Sequence, residues 1–87
     1  MRFYTTTLST GTLELFAADG AQMISIEPNS SSSCTVLGNL PFKGLSSTAI
    51  TLDANQVLTI SAQSPASPLD GLTITWISGT IDIIVGV

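Results

Sequence analysis

From Gly71 to its last residue the chain reads GLTITWISGTIDIIVGV, two runs of alternating apolar residues on either side of Ser78-Gly79. Alternation with a period of two marks a half-buried strand, and a Gly-bearing dipeptide between two such runs predicts a two-residue hairpin turn. With Ser78 and Gly79 as the loop, Ile77 is expected opposite Thr80, Trp76 opposite Ile81, Ile74 opposite Ile83 and Leu72 opposite Val85. Successive side chains point to opposite sides of a strand, so the last three pairs share one face. That face is wholly apolar and carries the only tryptophan. The other carries Thr73, Thr75, Ile77, Thr80, Asp82 and Ile84. A register chosen from the turn alone thus sorts the apolar residues to one side.

The same logic applies upstream. In Thr12–Glu27, Asp19-Gly20 reads as a type I′ loop that sets Leu15 opposite Ile24 and Leu13 opposite Ile26. Glu14 then faces Ser25, Thr12 faces Glu27, and Phe16 pairs with Met23 on the more polar side. In Thr48–Ala62, a loop Ala54-Asn55-Gln56 sets Leu52 opposite Leu58, Ile50 opposite Ile60 and Thr51 opposite Thr59. The alternative there is a corner at Asp53–Gln56 between strands of different sheets. Phe3–Leu8 is rich in aromatic and β-branched residues and predicts an edge strand or an arm. Cys34–Leu37 predicts a short strand with Cys34 and Val36 on one side. Pro28–Ser33, Gly38–Gly44 and Gln63–Asp70 carry the Pro, Gly, Ser and Asn of loops. No helix is clearly encoded. The fold class expected is all-β: a small β-sandwich or jelly-roll-like barrel of seven to eight short, mostly antiparallel strands. It forms one domain over 1–87, with residues 1–11 as an N-terminal strand or arm.

Composition narrows the function. The chain has 87 residues, one cysteine and no histidine, so neither an intrachain disulfide nor a Cys/His zinc site is available. Small domains without such staples often gain stability by association. Charged residues are 9% of the chain, against about 25% in ordinary domains. The cations are Arg2 and Lys43, and the net charge is −4. Nucleic acid and anionic membrane surfaces both demand clustered cations, so neither is expected as a partner. No run of about 18 apolar residues spans a membrane, and no targeting signal is evident. An uncharged polar surface is cheap to desolvate and suits packing against other proteins.

No catalytic constellation emerges, and an enzyme is not expected. Ser-His and Cys-His nucleophiles need a histidine. A Ser-Lys dyad would have to use Lys43, in a loop without a supporting motif. The acids sit beside turns or on exposed strand faces, where turn chemistry accounts for them. Asp53-Ala54-Asn55 offers two oxygen ligands for calcium, with Asp70 a third if the fold brings it near, but the calcium-loop pattern does not continue. Phosphate-cradling glycine loops are absent, and no cofactor is expected. For sugar binding the aromatic platforms are Trp76, Tyr4 and Phe42, of which Trp76 lies on the apolar face and reads as core. Cys34 likewise reads as a small core residue.

The segments STGTLELF, ITLDANQVLTISA, SPLDGLTIT and WISGTIDIIVG together resemble small all-β structural proteins of tailed bacteriophages, of the decoration, head-fibre-base or connector type. The resemblance lies in strand grammar over Thr12–Val87 and carries over no functional residues. It implies a non-enzymatic component located in the virion, forming a homo-oligomer such as a trimer or docking on a larger protein shell. A thin sandwich has one interior, so apolar residues on both faces of a strand pair point to an interface. The residues expected there are Ile77, Ile84, Phe16, Met23 and Phe42. The alternative is a small carbohydrate-binding module, with an exposed aromatic beside Asn or Asp in a loop.

Overall fold

The computed structural model describes residues 2–39 and 49–87. Eight strands occur among them: β1 Phe3–Leu8, β2 Thr12–Leu15, β3 Met23–Pro28, β4 Ser33–Gly38, β5 Ile50–Leu52, β6 Leu58–Ser61, β7 Leu72–Ser78 and β8 Ile81–Gly86. They form two four-stranded sheets of order β1-β8-β3-β6 and β2-β7-β4-β5, and every pairing is antiparallel.

This order has a simple origin. Thr35 pairs with Thr51, Ile24 with Ile60, Leu13 with Ile74 and Thr5 with Ile84. Each pair brackets the segment 40–48. Residues 2–39 and 49–87 therefore run antiparallel as one long double strand, rolled so that its successive stretches alternate between sheets. Two further ladders, β3 with β8 and β4 with β7, join successive turns of the roll. Eight strands wound this way make a jelly roll, and only β4 and β5 are successive strands within one sheet.

All three expected in-plane hairpins are thereby corrected. β7 and β8 lie in different sheets, so Leu72, Ile74 and Trp76 pair with β2 and β4 rather than with Val85, Ile83 and Ile81. β2 and β3 also part. Leu15 pairs with Leu72 and Leu13 with Ile74, while Ile24 lies between Ile60 and Val85 and Ile26 between Leu58 and Ile83. Phe16 lies outside both strands. The Asp19-Gly20 loop is a 3-10 turn, Ala17–Asp19, ended by Gly20 in the left-handed region. The Asp19 carboxylate accepts from the Phe16 N–H at 2.8 Å. β5 and β6 take the corner alternative, with Asn55 at φ 64° and the Gln56 side chain accepting from the Asp53 N–H at 2.7 Å. Thr51 faces Thr35, and Thr59 faces Ser25 with hydroxyls 3.2 Å apart.

The face assignments survive these corrections. Leu72, Ile74, Ile81 and Ile83 are all buried, together with Leu15, Ile24, Ile26, Cys34, Val36, Leu52 and Ile60. Trp76 and Val85 are partly buried against them. An arch between sheets turns the two apolar faces toward each other across about 10 Å, the spacing of packed sheets. Burial, not pairing, is what alternation encodes.

One end of the sandwich is stitched by Ser32, a nearly fully buried serine of the 30–33 tract. Its Oγ accepts from the Thr80 N–H at 2.8 Å, directly beneath Gly79. The Trp76 indole N–H donates to the Gly79 carbonyl at 2.7 Å, which closes the β7–β8 arch. Among the described residues no buried side-chain nitrogen or oxygen lacks a partner.

Candidate interaction surfaces

Register fixes which side chains stand on the outside. On the sheet β1-β8-β3-β6, Phe3 lies beside Gly86 and Gly86 beside Met23, while Thr5, Ile84, Ser25 and Thr59 form the next row. Gly86 presents no side chain between Phe3 and Met23. An open groove of about 490 Å³ borders Phe3 and Met23 and extends over Ser61, Ser64 and Pro65. Phe3 is 61% exposed and Ile84 41% exposed. The third row places Glu27 opposite Asp82, so the apolar patch ends at an acidic margin.

The outer face of the opposite sheet carries Glu14 at one edge and a row of threonines across its middle. Thr12, Thr75, Thr35 and Thr51 lie side by side across all four strands. Ile77 stands at an irregularity, where the register passes from Ser33–Ser78 to Cys34–Trp76 and leaves Ile77 without a partner on β4. It is 48% exposed.

The five residues expected at an interface are thus dispersed. Ile84 and Met23 share one outer face. Ile77 lies on the outside of the other sheet, because β7 and β8 part at Gly79. Phe16 is exposed at the 3-10 turn, and Phe42 lies outside the described residues. Phe3, on the N-terminal strand, joins Met23 and Ile84 on that outer face, a register beside Gly86 that only the β1–β8 ladder reveals.

The other chemical candidates are also placed. Asp53 belongs to the β5–β6 corner and Asp70 to the β6–β7 connection at the other end of the sandwich, so the calcium set is not assembled. Asp70 instead accepts from the Ala17 N–H at 2.9 Å and anchors the 3-10 turn. Among the described residues no group of three or more Cys, Asp or Glu is arranged to hold a metal. Cys34 is buried, and burial pushes its thiol pKa up, away from the reactive thiolate. Lys43 lies outside the described residues. The cleft at Asn39, Gln63, Leu69 and Asp70 is about 140 Å³, below the roughly 300–1,000 Å³ of small-molecule pockets. No described helix is long and apolar enough to cross a membrane.

Compared with protein-family models, curated proteins and solved structures, the chain matches none.

Proposed function

We propose that this protein is a non-enzymatic structural component that works by assembling, with copies of itself and on a larger protein shell, as the small virion proteins of tailed bacteriophages do. The observation that carries the reading is the grouping of Phe3, Met23 and Ile84 around Gly86 on one outer face. Apolar groups clustered at a groove on an otherwise polar sheet are the usual mark of a protein-binding surface. The jelly roll is itself a fold used in viral capsid domains, although it also serves lectins, so the surface and not the fold bears the weight. The low charge of the chain supports the same reading, since few charges need be desolvated at a contact. Sugar binding is less well supported. Trp76 uses its indole N–H internally, and Tyr4 has no Asn or Asp paired beside it in the β1–β8 ladder.

Light scattering of two variants tests the docking face. Ile84→Asp adds a carboxylate beside the apolar groove, and Ile77→Asp adds one to the opposite sheet. We expect Ile84→Asp to lower the assembled mass with Tm lowered by no more than about 8 °C, the effect of about 1 kcal/mol in a domain this size. Ile77→Asp should keep the wild-type mass. Equal masses for all three chains would remove this face from the assembly.

A further inference from the structure

Among the described residues β1 pairs only with β8, and its open edge differs from the other three sheet edges. β2 and β6 have four residues each and β5 three, and β2 carries Glu14. Short length and charge are the ordinary protections of an exposed edge. β1 has six residues, FYTTTL, with no charge, proline or bulge. Its inward-facing side chains Tyr4 and Thr6 are exposed as well, Tyr4 at 51%, so the second sheet does not cover it.

Hydrogen bonding defines what this edge offers. Arg2 and Val87 exchange both backbone bonds at 2.8 Å. In an antiparallel ladder the bonded pairs alternate, so Tyr4, Thr6 and Leu8 also bond toward β8. The N–H and C=O groups of Phe3, Thr5 and Thr7 therefore point away from β8, along the open edge. We infer that this edge pairs antiparallel with the same edge of a second copy, about a two-fold axis at Thr5. Thr5 then meets the partner's Thr5, and Phe3 meets the partner's Thr7. Every open group on both edges finds a partner in this one register. A shift by one residue would turn the strand over and present groups already bonded to β8. Shifts by two leave groups unpaired.

A second copy fits this edge because the edge is self-complementary, as an isologous contact requires. The uncharged strand also keeps two chains of net charge −4 from meeting through like charges. Pairing continues the sheet as β6-β3-β8-β1 from one copy into β1-β8-β3-β6 of the other. The Phe3–Ile84 patches of both copies then lie on one continuous outer face. The inference rests on the assembly reading above but uses a different surface, and an isologous edge closes as a dimer, not a trimer.

Amide hydrogen exchange and sedimentation of the full chain test it together. In the wild type, the Phe3, Thr5 and Thr7 amides should be protected at concentrations where the chain is dimeric and exchange freely on dilution. Thr5→Pro removes an N–H that faces away from β8, a position a strand tolerates. It should weaken the dimer roughly 10- to 100-fold, through two lost central hydrogen bonds. Thr5→Val should leave it intact, and Ile84→Asp should stop at the dimer. Free exchange of these three amides in an associated wild type, or a Thr5→Pro chain that dimerises normally, overturns the edge pairing and leaves the docking face standing. Protection that appears only when a different protein is added overturns the choice of a second copy. A wild type that never associates overturns both proposals. If Thr5→Pro does not fold, the wild-type exchange pattern alone decides.

Discussion

Alanine at Gly38 should leave little folded protein. Gly38 ends β4 opposite Leu72 and has φ +131°, a conformation that side chains rarely adopt. A Cβ there would stand 1.9 Å from the Gly71 carbonyl oxygen and 3.0 Å from the Leu72 Cα. Both are backbone atoms. Gly71 cannot yield easily, because its N–H donates to the Leu15 carbonyl at 2.8 Å and its carbonyl accepts from the Asn39 N–H at 3.2 Å. The strain and the overpacking together cost about 3–6 kcal/mol, comparable with the whole stability of a domain this size. Thermal unfolding followed by circular dichroism should show Tm lowered by at least about 15 °C, or no transition. Gly11→Ala is the control. Its φ of +73° is also left-handed, but nothing lies within 4 Å of the added Cβ, so its cost is limited to about 1–2 kcal/mol. Equal effects at both positions would mean that β4 and β7 do not approach as described.

The second large effect separates two neighbours on β8. Ile83 is buried at the centre of its sheet, between Thr6 and Ile26, whereas Ile84 is on the outer face between Thr5 and Ser25. Ile83→Ala should cost about 2–5 kcal/mol, the range for emptying an isoleucine site in a packed core. Ile84→Ala should cost less than about 1 kcal/mol. Urea denaturation measures both, with the midpoint moving and the slope unchanged. A reversed order would turn β8 over and make Ile84 core, which would also remove the docking face.

Which residues face inward was legible in the sequence. The alternation of Leu72, Ile74, Ile81 and Ile83 and of Ile24 and Ile26 predicts their burial, and β1 has the bounds Phe3–Leu8 that its composition gives. Pairing was not legible at Ser78-Gly79 or Asp19-Gly20. A turn dipeptide reports only that the chain reverses, and alternation reports only which side is apolar. An in-plane hairpin and an arch between sheets satisfy both signals. The arch prevails because it buries each apolar face against another, and because β7 and β8 each find two ladder partners elsewhere. Ser32 supplies the local reason at Gly79, but one serine in the run Ser30–Ser33 carries no mark that it will be buried. The candidate surface followed the same division. Ile77 and Ile84 were visible as apolar residues on polar strand faces. That they stand on opposite sides of the molecule, and that Phe3 joins Ile84 instead, depends on the ladders.

Sedimentation velocity of the unmodified chain over a wide concentration range tests the assembly reading most directly. The mass should rise from the 9.0 kDa protomer to a dimer and beyond as concentration increases. A single 9.0 kDa species at every concentration would contradict that reading.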